Sequence, residues 1–303
     1  MVMPTGTIMR HCMELTRMAE FLAAVADQSF LQQALLAGLL ASFGCGLIGP
    51  FVVVKRIAFL AGGIAHSVLG GMGAAVYFGL DPLLGALAAA VLAALLIGWV
   101  RLTWRTGEDT AIGALWAIGM AVGILFISRT PGYANDLMSF LFGNILLVPA
   151  RELWFMAALD LLLLLTVGLC YRQFVAVAFD EEFARLRGVP VAFFYLLLLV
   201  LVAVTVVLMI QVVGLILVIA LLTLPAAVAG QWTRSIAGMM LFATLLGSAL
   251  TGGGLALSYG PDLPAGPTII LLAGAVYLVS AVASSLRGRY QARRAVLAAT
   301  PSG

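Results

Sequence analysis

The sequence predicts an all-α membrane protein, a polytopic helix bundle of about nine spans with one further re-entrant or half-membrane helix. Hydrophobic residues make up 63% of its 303 residues and charged residues only 10%, whereas roughly a quarter of the residues are charged in a soluble domain. A soluble chain of this length could not bury so much apolar surface in one core. The apolar runs are about 20 residues long, which matches the hydrocarbon thickness of a bilayer. The alternating segments of a β-barrel do not occur in the sequence.

Nine apolar segments are predicted to cross the bilayer as helices. They are residues 31–53, 57–79, 83–103, 110–129, 153–171, 190–210, 212–229, 235–257 and 266–286. A further apolar segment, 137–148, would be only about 18 Å long as a helix, which is too short to cross. The chain therefore divides into an N-terminal leader or peripheral segment (1–30), a transmembrane domain (31–286) and a basic tail (287–303).

The distribution of lysine and arginine predicts the orientation. If the loop with Lys55 and Arg56 is cytoplasmic, alternation of the spans places 12 of the 16 Lys and Arg residues inside, in agreement with the positive-inside rule. A full crossing by 137–148 would move the later basic loops outside, so this segment is predicted to be re-entrant on the outer side. Irregular backbone at membrane depth needs protein or a watery cavity beside it, which indicates a transport path near 130–150. The N-terminus is then outside and the C-terminus cytoplasmic.

Several classes of function are excluded by what the sequence lacks. Cys12, Cys45 and Cys170 are widely spaced and form neither a CxxC motif nor a disulfide framework. The net charge of +3 gives no support for nucleic-acid binding. The only lysine, Lys55, is not part of a phosphate-binding GxxxxGK[ST] loop. Energy for transport must then come from a gradient or from another subunit.

Ionisable residues inside a membrane are costly, so they are candidates for function. His66 lies within a span, in FLAGGIAHSVLGG, and Asp160 lies within another. Asp136 precedes the short apolar segment, and Asp262 lies in the outer loop SYGPDLPAGP. His66 either hydrogen-bonds to a neighbouring backbone group or binds a transition metal, since imidazole is the commonest ligand of such ions. The context of Asp160 is less specific and assigns no role to it.

The cytoplasmic loop FDEEFARLRGVP (179–190) has the composition of a short helix. Acidic residues in a first turn and arginines in a last turn complement the helix dipole, and a glycine followed by proline ends a helix. Here these residues are Asp180, Glu181, Glu182, Arg185, Arg187, Gly188 and Pro190. The segment is either a solvated connector or a rigid short helix that a motor protein binds.

The chain resembles the metal-type ABC permease family, the ABC-3 family of zinc, manganese and iron importers. The resemblance runs from about residue 31 to 286 and rests on GPFVVVKR, GGIAHSVLGG, EDTAIGALWAIGMAVGILFIS, DLMSFLFGNIL, FDEEFARLRGVP, VGLILVIALLTLPAAVA and DLPAGPTIILL. It implies a permease, not an enzyme, with no bound cofactor and a divalent metal ion as cargo. It also implies a homodimer in the bilayer of the cell inner membrane, separate cytoplasmic ATPase subunits, an extracytoplasmic metal-binding protein and no nucleic-acid partner.

The resemblance also implies roles for particular residues. Segment 180–188 corresponds to the coupling helix that docks on the ATPase, with Asp180, Glu181, Glu182, Phe183, Arg187 and Gly188 as its candidate residues. Many members have an acidic residue four positions before the histidine, where the two side chains could share a cation on one helix face. This chain has Gly62 at that position. Asp136 or Asp262 could supply the carboxylate to a metal path through His66.

Three functions other than metal import would each require different sequence features. An ABC permease for a metal chelate, such as a siderophore or corrinoid, would need a wide pore without metal ligands. A gradient-driven transporter would have inverted repeats and paired intramembrane charges, and neither is recognisable in the sequence. A structural anchor would need neither a re-entrant segment nor a capped cytoplasmic helix. Zinc, manganese and iron share nitrogen and oxygen ligands, so the sequence alone does not choose among them.

Overall fold

The structure is a computed structural model that describes residues 23–104, 108–130, 143, 145–261 and 263–299. From Ser29 onward its helices are α1 (Ser29–Val54), α2 (Ala58–Tyr77), α3 (Pro82–Trp104), α4 (Glu108–Ser128), α5 (Ala150–Leu169), α6 (Tyr171–Phe179), α7 (Glu181–Leu186), α8 (Val191–Val213), α9 (Leu215–Trp232), α10 (Ile236–Tyr259) and α11 (Ala265–Ala299). A 3₁₀ helix, Ile145–Leu147, precedes α5.

Nine of these helices, α1 to α5 and α8 to α11, are long and apolar enough to cross a membrane, counted over the described ranges. They coincide with the nine predicted spans, apart from shifts of a few residues at most ends. The all-α membrane fold class is therefore confirmed. Aliphatic side chains give each span its own signal, because a length of about 20 apolar residues is needed whatever the neighbours are.

Glycine faces hold α2 between α3 and α4. A Cβ atom added at Gly70 of α2 would lie only 2.8 Å from the carbonyl oxygen of Gly119 in α4. On another face of α2, Gly71 lies against the backbone of Gly85 in α3. Helix backbones can approach this closely only where side chains are absent. These glycines therefore determine how closely α2 packs against α3 and against α4.

The helix α1 packs against α9 and α10. Gly49 of α1 lies against the carbonyl oxygen of Leu222 in α9. Nearer the start of α1, the hydroxyl oxygens of Ser42 and Thr251 lie 3.1 Å apart, and Thr251 belongs to α10. Each hydroxyl also donates to a carbonyl of its own helix, so both polar groups are satisfied within the apolar bundle.

The predicted re-entrant segment 137–148 falls mostly outside the described residues. Its described part, 143 and 145–148, includes the 3₁₀ turn and lies against the joint between α8 and α9. Gly214 forms this joint with a φ of +81°, and Gly143 has a φ of +67°. A Cβ at Gly143 would lie 2.6 Å from the carbonyl oxygen of Val213. Ile145 is buried as well, so this end of the segment packs against protein.

The helix α6 was not predicted from the sequence. It follows α5 directly and buries Phe174, Val177 and Ala178. These positions are three and four residues apart, which is the spacing of one helix face. The amphipathic pattern was present in the sequence but was too short to stand out beside the long apolar span before it.

The last span continues into the tail, because α11 extends to Ala299. Near the end of α9, the indole N–H of Trp232 donates a hydrogen bond of 2.8 Å to the hydroxyl of Ser280 in α11. The guanidinium carbon of Arg287 lies 4.2 Å from the centre of the Trp232 ring. These contacts attach α11 to α9 where the basic tail begins.

Candidate functional site

His66 lies in the middle of α2 and is half-buried. Its imidazole stacks on the indole of Trp116 in α4, with ring centres 4.1 Å apart and ring planes 10° apart. The Trp116 N–H donates a hydrogen bond of 3.2 Å to the sulfur of Met120, one turn along the same helix. The imidazole is therefore covered on one face by a ring whose own position is fixed.

The other predicted residues of the metal path cannot be placed beside His66. Asp136 and Asp262 both lie outside the described residues. Among the residues that are described, no group of three or more His, Cys, Asp and Glu side chains could hold a metal ion. Those residues alone therefore supply one imidazole to the path, and further ligands would have to come from elsewhere.

The short helix predicted in the 179–190 loop is present as α7. Asp180 is its N-cap, and the Asp180 side chain accepts a hydrogen bond of 2.9 Å from the backbone N–H of Phe183. Gly188 follows the helix with a φ of +77°, a left-handed conformation that glycine adopts without strain. The sequence prediction of a short capped helix in this loop is confirmed.

Glu181 attaches α7 to the spanning helices. Its carboxylate forms an ion pair with Lys55 at the end of α1 and another, of 3.2 Å, with Arg101 in the last turn of α3. The guanidinium of Arg101 also lies over the buried ring of Tyr195, 4.4 Å from its centre. Three spanning helices, α1, α3 and α8, therefore meet at the base of α7.

The ion pairs determine the protonation of Glu181. Partial burial opposes ionisation, but the hydrogen bond from Lys55 and the charges of Lys55, Arg101 and Arg185 outweigh it, so the pKa of Glu181 is below its ordinary value. The carboxylate is charged at neutral pH, as the anchoring contacts require.

The opposite face of α7 is exposed and partly apolar. Ala184 is fully buried against the bundle, whereas Phe179, Phe183 and Leu186 are 68%, 49% and 87% exposed. The Arg187 guanidinium lies 4.7 Å from the centre of the Phe183 ring. Glu182 is exposed as well. Phe183 and Leu186 of α7, together with Phe179 at the end of α6, form an apolar surface outside the spans that is suited to a protein partner.

Asp160 is the other ionisable residue that the sequence placed in the middle of a span. It lies in α5, only 3% exposed, and faces α1 and α8. A Cβ added at Gly44 would lie 2.6 Å from the Asp160 carboxylate and 3.1 Å from the methyl group of Met209. Neither carboxylate oxygen has a hydrogen-bond partner among the described residues.

Sequence reasoning missed two features of this site. Trp116 was not singled out, although it lies three residues before Gly119 in a GxxxG pattern that predicts close packing of α4 on another helix. The partners of Glu181 were not identified either. The predicted topology had already placed Lys55, Arg101 and the 179–190 loop at one end of the bundle, so their opposite charges were an available signal.

The sequence matches the ABC 3 transport family over residues 27–284. An uncharacterised membrane protein of Synechocystis sp. (strain PCC 6803) is 47% identical over 263 residues, covering 87% of this chain and 94% of that protein. A manganese transport system membrane protein of Halalkalibacterium halodurans is 33% identical over 268 residues, covering 88% of this chain and 92% of the relative.

The fold is also similar to a solved structure, PsaBC from Streptococcus pneumoniae in complex with Fab. A chain of that structure superposes with a TM-score of 0.79 at 32% sequence identity, covering 87% of this chain and 95% of the other. On this evidence the chain belongs to the ABC 3 transport family, a family of membrane transport permeases.

Proposed function

We propose that this chain is the membrane-spanning permease subunit of an ABC importer that takes up a divalent transition-metal ion across the cell inner membrane. It acts as a homodimer with separate cytoplasmic ATPase subunits and an extracytoplasmic metal-binding protein. Its N-terminus is outside and its C-terminus is cytoplasmic. Family membership and the manganese transport relative support the choice of cargo.

The observation that carries the proposal is the construction of α7. Its exposed face has Phe183 and Leu186 available to a partner, while Glu181 attaches its base to Lys55 and Arg101. A motor subunit that binds the exposed face of α7 and then moves would displace α1 and α3 through the ion pairs of Glu181. Charge-assisted hydrogen bonds are roughly twice as strong as neutral ones, so they are suited to transmit such a movement.

His66 is the proposed ligand in the path. A neutral imidazole is the form expected in an apolar span, and it offers one ring nitrogen to a metal ion. Asp136 and Asp262 remain the proposed carboxylate donors, since oxygen and nitrogen together suit zinc, manganese and iron. The second permease of the dimer would contribute the same residues across the path.

The transport role is tested by metal uptake in proteoliposomes that contain the permease, its ATPase and its binding protein. His66→Gln keeps a polar side chain but is a poor ligand for these ions. We expect it to lose uptake at limiting metal while assembly and basal ATPase activity are retained. Normal uptake by this variant would exclude His66 as a ligand.

The coupling role is tested with the double variant Glu182→Lys and Phe183→Ala. We expect weaker co-purification of the ATPase or uptake reduced by about tenfold, with the permease still folded. The control is Phe193→Ala, which removes another exposed phenylalanine, 58% exposed, at the start of α8. Wild-type assembly and uptake in the double variant would exclude this surface as the docking site.

A further inference from the structure

The position four residues before His66 is occupied by glycine, and an indole lies over it. If a Cβ is added at Gly62, its nearest neighbour outside α2 is the six-membered ring of Trp116, at 3.8 Å. A carboxylate at position 62 would extend further and would have to share this space with the indole. The same ring covers one face of His66.

We propose that Trp116 positions the His66 imidazole for metal binding and, by occupying the space beside Gly62, leaves the site one carboxylate short of a site with an acidic residue at position 62, so that it prefers Zn²⁺ to Mn²⁺. This inference rests on the proposed role of His66 in the metal path.

The contact between Trp116 and His66 is fixed by the crossing of α2 and α4. On one side of it, Gly63 lies against the side chain of Ile112. On the other side, a Cβ at Gly119 would lie 2.5 Å from the Cα of Ser67. Trp116 lies between Ile112 and Gly119 on α4, as His66 lies between Gly63 and Ser67 on α2. The two rings therefore have little freedom to separate while the helices remain packed.

Stacking leaves the imidazole able to bind a metal. The lone pair of the ligating nitrogen lies in the plane of the ring, whereas Trp116 covers the face of the ring at a ring-centre distance of 4.1 Å. The indole therefore restrains rotation of the imidazole without covering its ligand edge. The hydrogen bond from the indole N–H to Met120 fixes Trp116 in turn. A ligand held in this way loses less conformational freedom when it binds.

The two helices that carry His66 and Trp116 provide little negative charge. No residue of α2 is acidic, and the acidic residues of α4 are Glu108 and Asp109. They lie seven and eight residues before Trp116, which is roughly 10–12 Å along the helix. Imidazole nitrogen suits Zn²⁺, whereas Mn²⁺ depends more on carboxylate and other oxygen ligands. A site built around His66 and Trp116 would therefore bind Zn²⁺ more tightly.

The test is direct titration of the purified full-length permease in nanodiscs with Zn²⁺ and with Mn²⁺, which needs no binding protein. We expect wild-type Kd to be at least tenfold lower for Zn²⁺. Trp116→Leu fills the volume without an aromatic face and should raise the Zn²⁺ Kd about tenfold. Trp116→Phe keeps the stacking and should stay within about threefold of wild type. Gly62→Asp combined with Trp116→Ala should lower the Mn²⁺ Kd about tenfold.

The outcomes separate this inference from the proposed function. If His66→Gln abolishes Zn²⁺ binding but Trp116→Leu binds as wild type does, the role of Trp116 is wrong and that of His66 stands. If His66→Gln still binds Zn²⁺ normally, the proposed ligand itself is wrong. Equal wild-type affinities for the two ions would overturn the preference.

Thermal unfolding of each variant checks that it is folded. If Trp116→Leu does not fold, Met120→Leu replaces it, with an expected two- to threefold rise in the Zn²⁺ Kd at unchanged Tm.

Discussion

Glu181 of the short helix α7 forms an ion pair with Lys55 at the end of α1. The two residues are 126 positions apart in the sequence, so the contact exists only when the bundle is assembled. The ion pair joins α7, the proposed docking helix for the ATPase, to the end of α1. The start of α1 lies at the opposite end of the bundle.

Glu181→Gln is expected to uncouple transport. The glutamine keeps the size of the side chain but loses the charge that attracts Lys55 and Arg101, so α7 would transmit less movement to α1 and α3. We expect uptake to fall several-fold with little change in Tm. Asp109→Asn is the matched control, because it neutralises an exposed carboxylate outside α7. Equal uptake by both variants, measured in proteoliposomes, would contradict an anchoring role.

The anchoring of α7 should depend on pH in one direction. Because the pKa of Glu181 is lowered from its ordinary value of 4.5 in the folded protein, its contribution to stability is fully present above that value. The contribution is lost as pH falls through the lowered pKa. A nitroxide at Leu186→Cys, with the native cysteines replaced, should report constant mobility at every pH above 4.5 and greater mobility only as pH falls through the lowered pKa of Glu181. In Glu181→Gln the transition should be absent; a transition of equal size there would assign it to another group.

The sequence predicted the spans well and the site only in part. Each span has its own hydropathy signal, and the cap at Asp180 is local, so neither depends on the rest of the fold. The stacking of Trp116 on His66 depends on how α2 and α4 are rotated about their axes. Close contact between Gly70 and Gly119, 49 positions apart in the sequence, determines that rotation. Glu181 was predicted to contact the ATPase, but its carboxylate is engaged within the bundle. Its contact with a motor stays a prediction.

Closing the small gap between α2 and α4 should destabilise the permease. Gly70→Ala places a Cβ 2.8 Å from the carbonyl oxygen of Gly119, and overpacking of this kind costs about 1–3 kcal/mol. We expect a lower Tm and weakened metal binding at His66. Gly113→Ala is the control on α4, since nothing lies within 4 Å of the added Cβ, and it should leave Tm unchanged or raise it. A Gly70→Ala protein as stable as this control would show that the crossing tolerates separation.

The proposed orientation predicts the location of four reporter fusions. Fusions after Gly79, Arg105, Pro149 and Arg187 should report outside, inside, outside and inside. The prediction follows from the excess of Lys and Arg on one side of the nine spans. A cytoplasmic signal at Pro149 would mean that 137–148 crosses the membrane, and the orientation of every later loop would then be reversed.

Asp160 is expected to weaken the bundle without serving transport. The carboxylate is buried between α5, α1 and α8, and neither oxygen has a hydrogen-bond partner within the described part of the chain. An ionised group in such surroundings costs several kcal/mol. Asp160→Asn has nearly the same shape and cannot ionise. We expect it to raise Tm by about 2–4 °C, which corresponds to about 1 kcal/mol for a chain of this size.

The control for Asp160→Asn is Asp109→Asn, which removes an exposed carboxylate and should leave Tm within about 1 °C of wild type because its charge is already solvated. Both variants should take up metal at the wild-type rate. Loss of uptake by Asp160→Asn at a wild-type Tm would contradict the prediction. It would mean that α5 provides a functional carboxylate, separated from the His66 path by α1 and α8.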